Sequence, residues 1–416
     1  MIEMKKYIFL LLSFFCFLFP VQAIDLETYS KNILLYNLDE NTVLYEKSSD
    51  EKIAIASLTK LMTAVVAIEN ISSLDQKVKL TAKDFEGLME ANASVAGFRM
   101  GQNPTYRDLL YGLLLPSGAD AALALARNVA GSREHFVEMM NEKAKELGLI
   151  NTHFVNETGL DAKNHYSTLK EVAILFQYVL KNEELSKIIK SDRYTMSDRS
   201  FTVRSSISKN IDRYSLSMDY LLGGKTGTTD AAGLCLASIA SNNGTNYMLI
   251  TARAPYDKKA PYHFYDAKTI YEYFMSHYEN KKVIESGEIL LTLATQYAKE
   301  DTVNFKAKED ILKYVPKSFA KKDLVYTYDG VDTISYKNKV GEKLGILQIK
   351  YKDDLVFKID IVLEQELSFD LMKYVKDHLI SLLGLFIALS VSFIFFCICR
   401  KRKKRRKYRK KITSRK

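Results

Sequence analysis

The chain has 416 residues, 47% of them hydrophobic and 26% charged, a balance that is typical of globular proteins and excludes a disordered chain. The formal charge of +10 is concentrated at one end, because residues 400–416 carry 13 basic and no acidic residues. Residues 1–23 contribute a further +1, which leaves −4 for residues 24–399. A nucleic-acid partner is therefore not expected.

The first apolar segment predicts a signal peptide. Residues 1–23 contain Lys5 and Lys6, then an apolar run, then a small residue at Ala23, which is the pattern of a segment cleaved before Ile24. An uncleaved membrane anchor is the alternative. It is disfavoured because the apolar run is short for a bilayer span.

The second apolar segment predicts a membrane anchor. Residues 379–399 contain no charged residue, and a helix of that length crosses the hydrocarbon core. The basic segment 400–416 then forms a cytoplasmic tail by the positive-inside rule. We expect a single-pass protein of the cell membrane with residues 24–378 outside the cytoplasm, where Cys235 is the only cysteine and no intrachain disulfide can form.

Hydrophobic periodicity and turn residues predict the elements in chain order. A β-hairpin comes first, with strands at 32–36 and 42–45. Helices follow at 58–68, 104–115, 120–130, 132–147 and 167–180, then strands at 201–205, 215–219, 233–240 and 246–253, then a helix at 265–277. This alternation predicts an α+β domain over residues 24–278.

Residues 279–370 have a different pattern. Short alternating segments predict strands, which lie at 302–305, 324–327, 344–351 and 355–362. A small β-rich domain is therefore expected between the α+β domain and the membrane helix.

The chemistry-bearing residues do not predict a metal or cofactor site. The six histidines are scattered, and the HExxH and CxxC patterns are absent. A more informative pair is Ser57 and Lys60, which share a face of the predicted helix at its N-terminal end. A lysine kept neutral by burial or by a neighbouring cation can act as a base toward such a serine. The spacing alone is weak evidence, because it also occurs at 49–52, 206–209 and 318–321.

Two further motifs strengthen the prediction of a catalytic serine–lysine pair. The segment Lys225-Thr226-Gly227-Thr228 suits an edge strand that binds a carboxylate, with a glycine at the point of close approach. Ser117, in Pro-Ser-Gly-Ala-Asp between two helices, offers a second hydroxyl, although alone it is better interpreted as a turn or helix cap.

The ordered set S-x-x-K, S-G-x, K-T-G resembles the penicillin-binding serine DD-peptidases, and more narrowly the low-molecular-mass D-alanyl-D-alanine carboxypeptidases. The resemblance covers about residues 25–370, including 56–63, 147–154 and Gly159-Leu160-Asp161. It implies an antiparallel sheet flanked by helices, of the kind shared with β-lactamases. It also implies a peptidoglycan stem peptide ending in D-Ala-D-Ala as substrate, and inhibition by β-lactam antibiotics.

The resemblance also implies residue roles. Ser57 would be the nucleophile and Lys60 its base, while Ser117 would relay a proton to the leaving amine. Lys225, Thr226, Gly227 and Thr228 would form the substrate-binding strand, in which Lys225 supplies positive charge. Backbone N–H groups of Ser57 and Thr228 would form the oxyanion hole.

One departure from the family pattern leaves alternatives open. The second motif of the family usually ends in Asn, whereas this chain has Ala119. Loss of one such hydrogen bond typically costs about 1–3 kcal/mol, so a catalytically weakened protein that binds wall peptides or penicillin is the main alternative. A β-lactamase is a weaker one, because the chain has a second domain and a membrane anchor but no recognisable Glu-bearing deacylation loop.

Overall fold

The computed structural model describes residues 26–351 and 354–413. The chain divides into two compact units, one ending at Tyr278 and the other beginning at Glu279. The predicted signal peptide, residues 1–23, lies outside the described residues.

The first unit is built on a five-stranded antiparallel sheet in the order β2-β1-β7-β6-β5. Its strands are β1 (Asn32–Asn37), β2 (Thr42–Lys47), β5 (Leu221–Thr229), β6 (Gly233–Asn242) and β7 (Thr245–Ala254). Consecutive residues such as Leu236 and Ala237 are both fully buried, so the central strands are covered on both faces. Strand β5 lies at the edge of the sheet, where it contacts the turn Ala56–Thr59.

In residues 26–278, the described part of the first unit, eight α-helices pack on the sheet and on one another. They are α1 (Lys60–Asn70), α2 (Tyr106–Leu114), α3 (Ala119–Ala130), α4 (Arg133–Glu146), α5 (Leu169–Lys181), α6 (Glu183–Lys190), α7 (Ser206–Arg213) and α8 (Tyr262–His277). Helix α8 packs on β6 and β7, and α5 packs on β1 and β7. Helix α1 is buried over its whole stretch Lys60–Ala67 and packs against α2, α3, α4 and α5, so it is the central helix of the unit.

The predicted strand at 215–219 is wrong. Ser215 has a φ of +48°, and the amide of Leu216 donates to the carbonyl of Ile211. The segment therefore closes the C-terminal end of α7, which the sequence did not predict, instead of extending along the sheet. A separate short hairpin, β3 (Arg193–Thr195) and β4 (Thr202–Arg204), contains the predicted strand near 201–205.

The second unit is β-rich, as expected. Its strands are β8 (Tyr278–Ile284), β9 (Ile289–Gln296), β10 (Thr302–Lys306), β11 (Ile311–Pro316), β12 (Leu324–Gly330), β13 (Thr333–Ser335), β14 (Lys343–Tyr351) and β15 (Asp354–Val362). They form small sheets ordered β10-β9-β13, β11-β8 and β12-β14-β15. The four predicted strands lie within β10, β12, β14 and β15. The other four alternate less regularly between apolar and polar residues.

The chain continues into a long helix, α9 (Leu371–Thr413). Its stretch Leu371–Arg405 is long and apolar enough to cross a membrane, with a mean hydropathy of 2.7 in its most apolar window. Large side chains such as Ile380 and Phe386 are exposed there, which is costly in water and favourable in lipid. The predicted span 379–399 lies inside this helix.

Candidate active site

Ser57 lies in a tight turn that enters the central helix. A 3₁₀ turn, Ala56–Thr59, precedes α1, and Ser57 is half-buried within it. Ala56 has a φ of +47°, a conformation that non-glycine residues rarely adopt and that is common beside reactive groups. A Cβ on Gly159 would lie 2.0 Å from the Ala56 carbonyl oxygen, so a glycine is required there for the neighbouring loop to pack on this turn.

Lys60 is buried directly beside the serine. Its Nζ lies 2.9 Å from Ser57 Oγ and donates to the carbonyl oxygen of Thr158 at 2.6 Å. Burial lowers the pKa of Lys60 from 10.5 to about 7, although the negative charges of Glu157 and Asp120 act in the opposite direction. A substantial neutral fraction at physiological pH makes this amine a competent proton acceptor.

A second serine–lysine pair lies in the same unit. Lys225 Nζ donates to Ser117 Oγ at 2.8 Å and to the carbonyl oxygen of Thr226 at 2.7 Å. Ser117 has a φ of +68°, which is a second strained position at a candidate functional residue. Burial holds the pKa of Lys225 well below its ordinary value, and the charge of Lys60 lowers it further. The two lysines are therefore electrostatically coupled.

Strand β5 brings the third motif against the nucleophile. A Cβ on Gly227 would lie 3.0 Å from Ser57 N, so the glycine allows the edge strand to approach the serine closely. Thr228 is exposed on this edge. Thr226 is half-buried, and its hydroxyl donates to Ser206 Oγ at 2.7 Å. All seven predicted site residues thus lie within the first unit, and direct contacts link Ser57 with Lys60 and Ser117 with Lys225.

Sequence reasoning missed three residues that the fold adds to this site. Ser206 was treated as part of a chance S-x-x-K repeat, yet its hydroxyl contacts Thr226, which lies 20 positions away in sequence. The Thr158 carbonyl orients the Lys60 amine, a role that no side-chain pattern can reveal. The third residue is Glu157, whose negative charge raises the pKa of Lys60. It is almost fully buried and forms an ion pair with Arg133, with an Nε–Oε1 distance of 2.7 Å.

The residue that departs from the family pattern lies in an apolar contact. The side chain of Ala119 is 1% exposed and packs with Leu88 and Leu123. Its amide donates to the carbonyl of Ser94 at 2.7 Å. The side chain at this position is therefore covered by apolar side chains.

Asp120 anchors the loop beside this position. Its carboxylate accepts hydrogen bonds from the backbone amides of Ala96, Gly97 and Phe98 at 2.8, 3.1 and 3.2 Å. It also accepts one from Ala121 at 3.0 Å. Asp120 thus satisfies backbone donors and does not replace the missing amide.

We expect Asp120→Ala to destabilise the protein by about 2–4 kcal/mol, because it removes the acceptor of four backbone amides, of which those of Phe98 and Ala121 belong to buried residues. The melting temperature should fall by about 5–10 °C. The matched control is Asp219→Ala, at an exposed aspartate, which should change stability by less than about 0.5 kcal/mol. Equal melting temperatures for the two variants would contradict the anchoring role.

Comparison with known proteins agrees with this geometry. Residues 20–255 match the model of the D-alanyl-D-alanine carboxypeptidase family. The chain is 29% identical to the D-alanyl-D-alanine carboxypeptidase DacF of Bacillus subtilis over 82% of its own length and 86% of that protein's. It is 34% identical to a D-alanyl-D-alanine carboxypeptidase of a Streptomyces species over 50% of this chain and 75% of the relative.

A solved structure shares the fold. The D-alanyl-D-alanine carboxypeptidase DacD from Francisella tularensis superposes with a TM-score of 0.66 at 22% identity, covering 86% of this chain and 98% of that one. The expected fold class, an α+β unit with an antiparallel sheet flanked by helices followed by a β-rich unit, is confirmed. Because the family model matches more than half of the chain, this protein belongs to the D-alanyl-D-alanine carboxypeptidase family.

Proposed function

We propose that this protein is a serine-type D-Ala-D-Ala carboxypeptidase that removes the terminal D-alanine from peptidoglycan stem peptides through an acyl-enzyme at Ser57. The observation that carries the proposal is the distance of 2.9 Å between Lys60 Nζ and Ser57 Oγ, at a lysine whose burial favours the neutral amine. A nucleophile within hydrogen-bond reach of its base is the arrangement that covalent catalysis requires.

The first half-reaction transfers the peptide to the enzyme. Ser57 Oγ attacks the carbonyl carbon between the two D-alanines while its proton passes to the Lys60 amine. The Thr158 carbonyl accepts a hydrogen bond from the same amine, which leaves the nitrogen lone pair free to face Ser57. The negative charge that forms on the carbonyl oxygen is stabilised by the backbone N–H groups of Ser57 and Thr228.

The second pair completes the cycle. Ser117 passes its proton to the leaving amine and regains one from the protonated Lys60, so the C–N bond breaks, free D-alanine departs and Lys60 is neutral again. Lys225 donates a hydrogen bond to Ser117 and holds its hydroxyl in place for this transfer. Water then attacks the ester carbonyl while Lys60 takes a proton from it, and that proton passes to Ser57 Oγ as the ester bond breaks and the shortened peptide is released. No metal or cofactor takes part in this scheme.

Substrate binding also helps to set the protonation of the two lysines. The terminal carboxylate binds at Thr226 and Thr228, near Lys225, and a nearby negative charge favours the protonated form of a lysine. Protonation of Lys225 in turn favours the neutral form of Lys60, since the two groups are coupled. Binding of a substrate with the correct C-terminal carboxylate thereby favours the neutral form of Lys60, which is the form that accepts the Ser57 proton.

The rate of acylation is expected to rise as the pH increases through about 7 and to level off above it, because only the neutral Lys60 amine accepts a proton. The measurement is the second-order rate of labelling by a fluorescent penicillin across the neutral range. Glu157→Gln should shift the rising part of this pH–rate profile to lower pH, because the Glu157 charge raises the pKa of Lys60. A rise centred near the ordinary lysine pKa of 10.5 in the unmodified protein would contradict the neutral-base mechanism.

The proposed topology is a single-pass membrane protein with the first unit outside the cytoplasm. It is supported by the length and hydropathy of α9 and by the basic segment 400–416 that follows the apolar stretch. Residues 1–23 would be removed as a signal peptide. The domain assignment would then be 24–278 for catalysis, 279–370 for a small β domain, 379–399 for the span and 400–416 for the tail.

The test is D-alanine release by the full-length protein in detergent from a pentapeptide ending in D-Ala-D-Ala, with penicillin as a second reactant. Release of D-alanine and a slowly hydrolysed penicilloyl adduct support the proposal. Stable penicillin labelling without D-alanine release would instead identify a binding protein weakened at Ala119. Rapid, repeated hydrolysis of penicillin would identify a β-lactamase.

A further inference from the structure

A group of aromatic rings surrounds the start of helix α9 in the second unit. This aromatic cluster consists of Tyr297, Tyr336, Phe369, Tyr374 and His378. Tyr374 and His378 lie one turn apart on α9, and their rings stack with centroids 4.2 Å apart. Tyr297, which follows β9, contacts both rings at 5.1 and 5.4 Å. Phe369 lies 5.8 Å from Tyr374 and 4.6 Å from Tyr336, which follows β13. The helix and two loops of the second unit therefore share one continuous aromatic patch.

Hydrogen bonds fix the start of α9 to the strands of the second unit at this patch. The Asp370 carboxylate accepts from the amide of Lys373 at 3.1 Å, as a helix cap does. The amide of Asp370 donates to the carbonyl of Tyr297 at 2.8 Å. Lys373 Nζ donates to the carbonyl of Ala298 at 2.7 Å and to Asp301 Oδ1 at 2.8 Å. The depth of α9 in a membrane therefore also sets the depth of the loop that contains Tyr297.

The cluster lies directly before the predicted span, which begins at Leu379. His378 is the preceding residue, and Tyr374 lies five residues before Leu379, or about 7.5 Å along a helix. A bilayer has a hydrocarbon core of about 30 Å and a total thickness of about 40–45 Å, so each headgroup layer is about 5–8 Å thick. With the span in the core, Tyr374 and His378 lie at the level of the headgroups. Tyr297 contacts both rings and lies at the same level.

The side chains of the cluster have the chemistry that a membrane interface favours. Phe369 is 39% exposed, and Tyr297, Tyr336 and Tyr374 are half-buried. In the described part of the chain, no group forms a hydrogen bond with the hydroxyls of these three tyrosines. Rings with an apolar body and a free polar end are enriched where acyl chains meet headgroups. Lys337 Nζ, which lies 5.7 Å from the Tyr336 ring, adds a positive charge for lipid phosphates.

We propose that the aromatic cluster binds the headgroup layer of the membrane on its outer side. The second unit then contacts lipid through Tyr297 and Tyr336, two residues that lie outside the anchor helix. The partner is a phospholipid bilayer, in which the rings lie at the ends of the acyl chains and the tyrosine hydroxyls face the headgroups. The inference goes beyond the proposed catalytic function and rests on the proposed topology. It gives the β-rich unit a binding surface of its own.

The experiment uses tryptophan as a depth reporter, because the chain contains none. Each variant of the full-length protein carries one tryptophan and is reconstituted in phosphatidylcholine vesicles that contain a nitroxide-labelled lipid. The label is placed on the headgroup or deep in the acyl chain. Tyr297→Trp and Tyr336→Trp report on the two loops. Phe386→Trp, at an exposed position of α9, marks the hydrocarbon core. Ile289→Trp is the control, since Ile289 is exposed at the other end of β9, about 26 Å from Tyr297.

We expect the headgroup label to remove most of the emission of Tyr297→Trp and Tyr336→Trp. Both should also emit at a shorter wavelength than Ile289→Trp, which should be quenched by iodide in the water and not by labelled lipid. Phe386→Trp should respond to the deep label. All four variants should release D-alanine at the rate of the unmodified protein, because the four positions lie in the second unit.

The outcomes separate the inference from the proposals before it. If Tyr297→Trp and Tyr336→Trp respond like Ile289→Trp while the deep label quenches Phe386→Trp, the inference is overturned and the anchor stands. The cluster would then be a packing contact in water. If the deep label does not quench Phe386→Trp, the proposed topology is overturned together with the inference. A lack of D-alanine release in the unmodified protein would overturn the proposed catalytic function, and lipid quenching at both loops would still support the membrane contact.

Discussion

Ser57→Ala is expected to lower the rate of D-alanine release by about 10⁴-fold or more and to abolish covalent labelling by penicillin. The methyl side chain has no oxygen to form the acyl ester, and removal of a catalytic serine elsewhere costs a comparable factor. Ser57 is only half-buried and loses one contact, to Lys60. The variant should therefore fold, and its melting temperature is measured alongside the rate.

The matched control is Ser318→Ala. Ser318 and Lys321 have the same spacing as Ser57 and Lys60, but Ser318 is exposed in the second unit and Lys321 forms an ion pair with Glu288 at 2.6 Å. This variant should release D-alanine at the rate of the unmodified protein. A folded Ser57→Ala variant that retains activity within about tenfold of the unmodified protein would exclude Ser57 as the nucleophile.

Lys60→Met is expected to slow acylation by about 10³-fold, the usual contribution of a general base. Methionine has a similar length and no charge, and burial already favours the neutral form of Lys60. The substitution should therefore disturb the fold little and mainly remove the amine lone pair that accepts the proton. Acylation is measured as the rate of penicillin labelling at a pH above about 7, where the native base is neutral.

Lys60→Arg distinguishes a base from a fixed charge. Arginine stays protonated in proteins, so it can replace a positive charge but cannot accept the Ser57 proton. We expect Lys60→Arg to be as slow as Lys60→Met, while Lys321→Met, at an ion pair of the second unit, should leave the rate unchanged. Recovery of activity in Lys60→Arg would show that Lys60 acts through its charge alone.

The fold of the first unit could be predicted where one element carries a strong local signal. The periodic apolar residues of α1 to α5 and the largely apolar runs of β6 and β7 predict those elements. Helix α7 and strand β5 could not be predicted in the same way. The segment 215–219 alternates like a strand but closes a helix, and β5 contains consecutive glycines that disfavour strands unless close packing requires them. Gly224 meets that condition, since a Cβ there would lie 2.2 Å from the Ala237 carbonyl oxygen.

The sequence could predict the residues of the three motifs, but not the tertiary contacts around them. Ser57, Lys60 and Lys225 were identified from ordered motifs together with a family resemblance, since the spacing of Ser57 and Lys60 alone recurs by chance. The Thr158 carbonyl and the contact between Thr226 and Ser206 depend on tertiary packing. Asp120 illustrates the limit most clearly, because no local pattern shows that its carboxylate binds the backbone amides of residues 96–98.

The most direct test of the central claim is identification of the acylated serine. The full-length protein is reacted with penicillin, digested and analysed by mass spectrometry of the modified peptide. The candidate site contains three serines that could carry the adduct: Ser57, Ser117 and Ser206. We predict that the adduct lies on Ser57 alone. An adduct on Ser117 or Ser206 would contradict the proposed mechanism, because it would show that the 2.9 Å contact between Ser57 and Lys60 does not define the nucleophile.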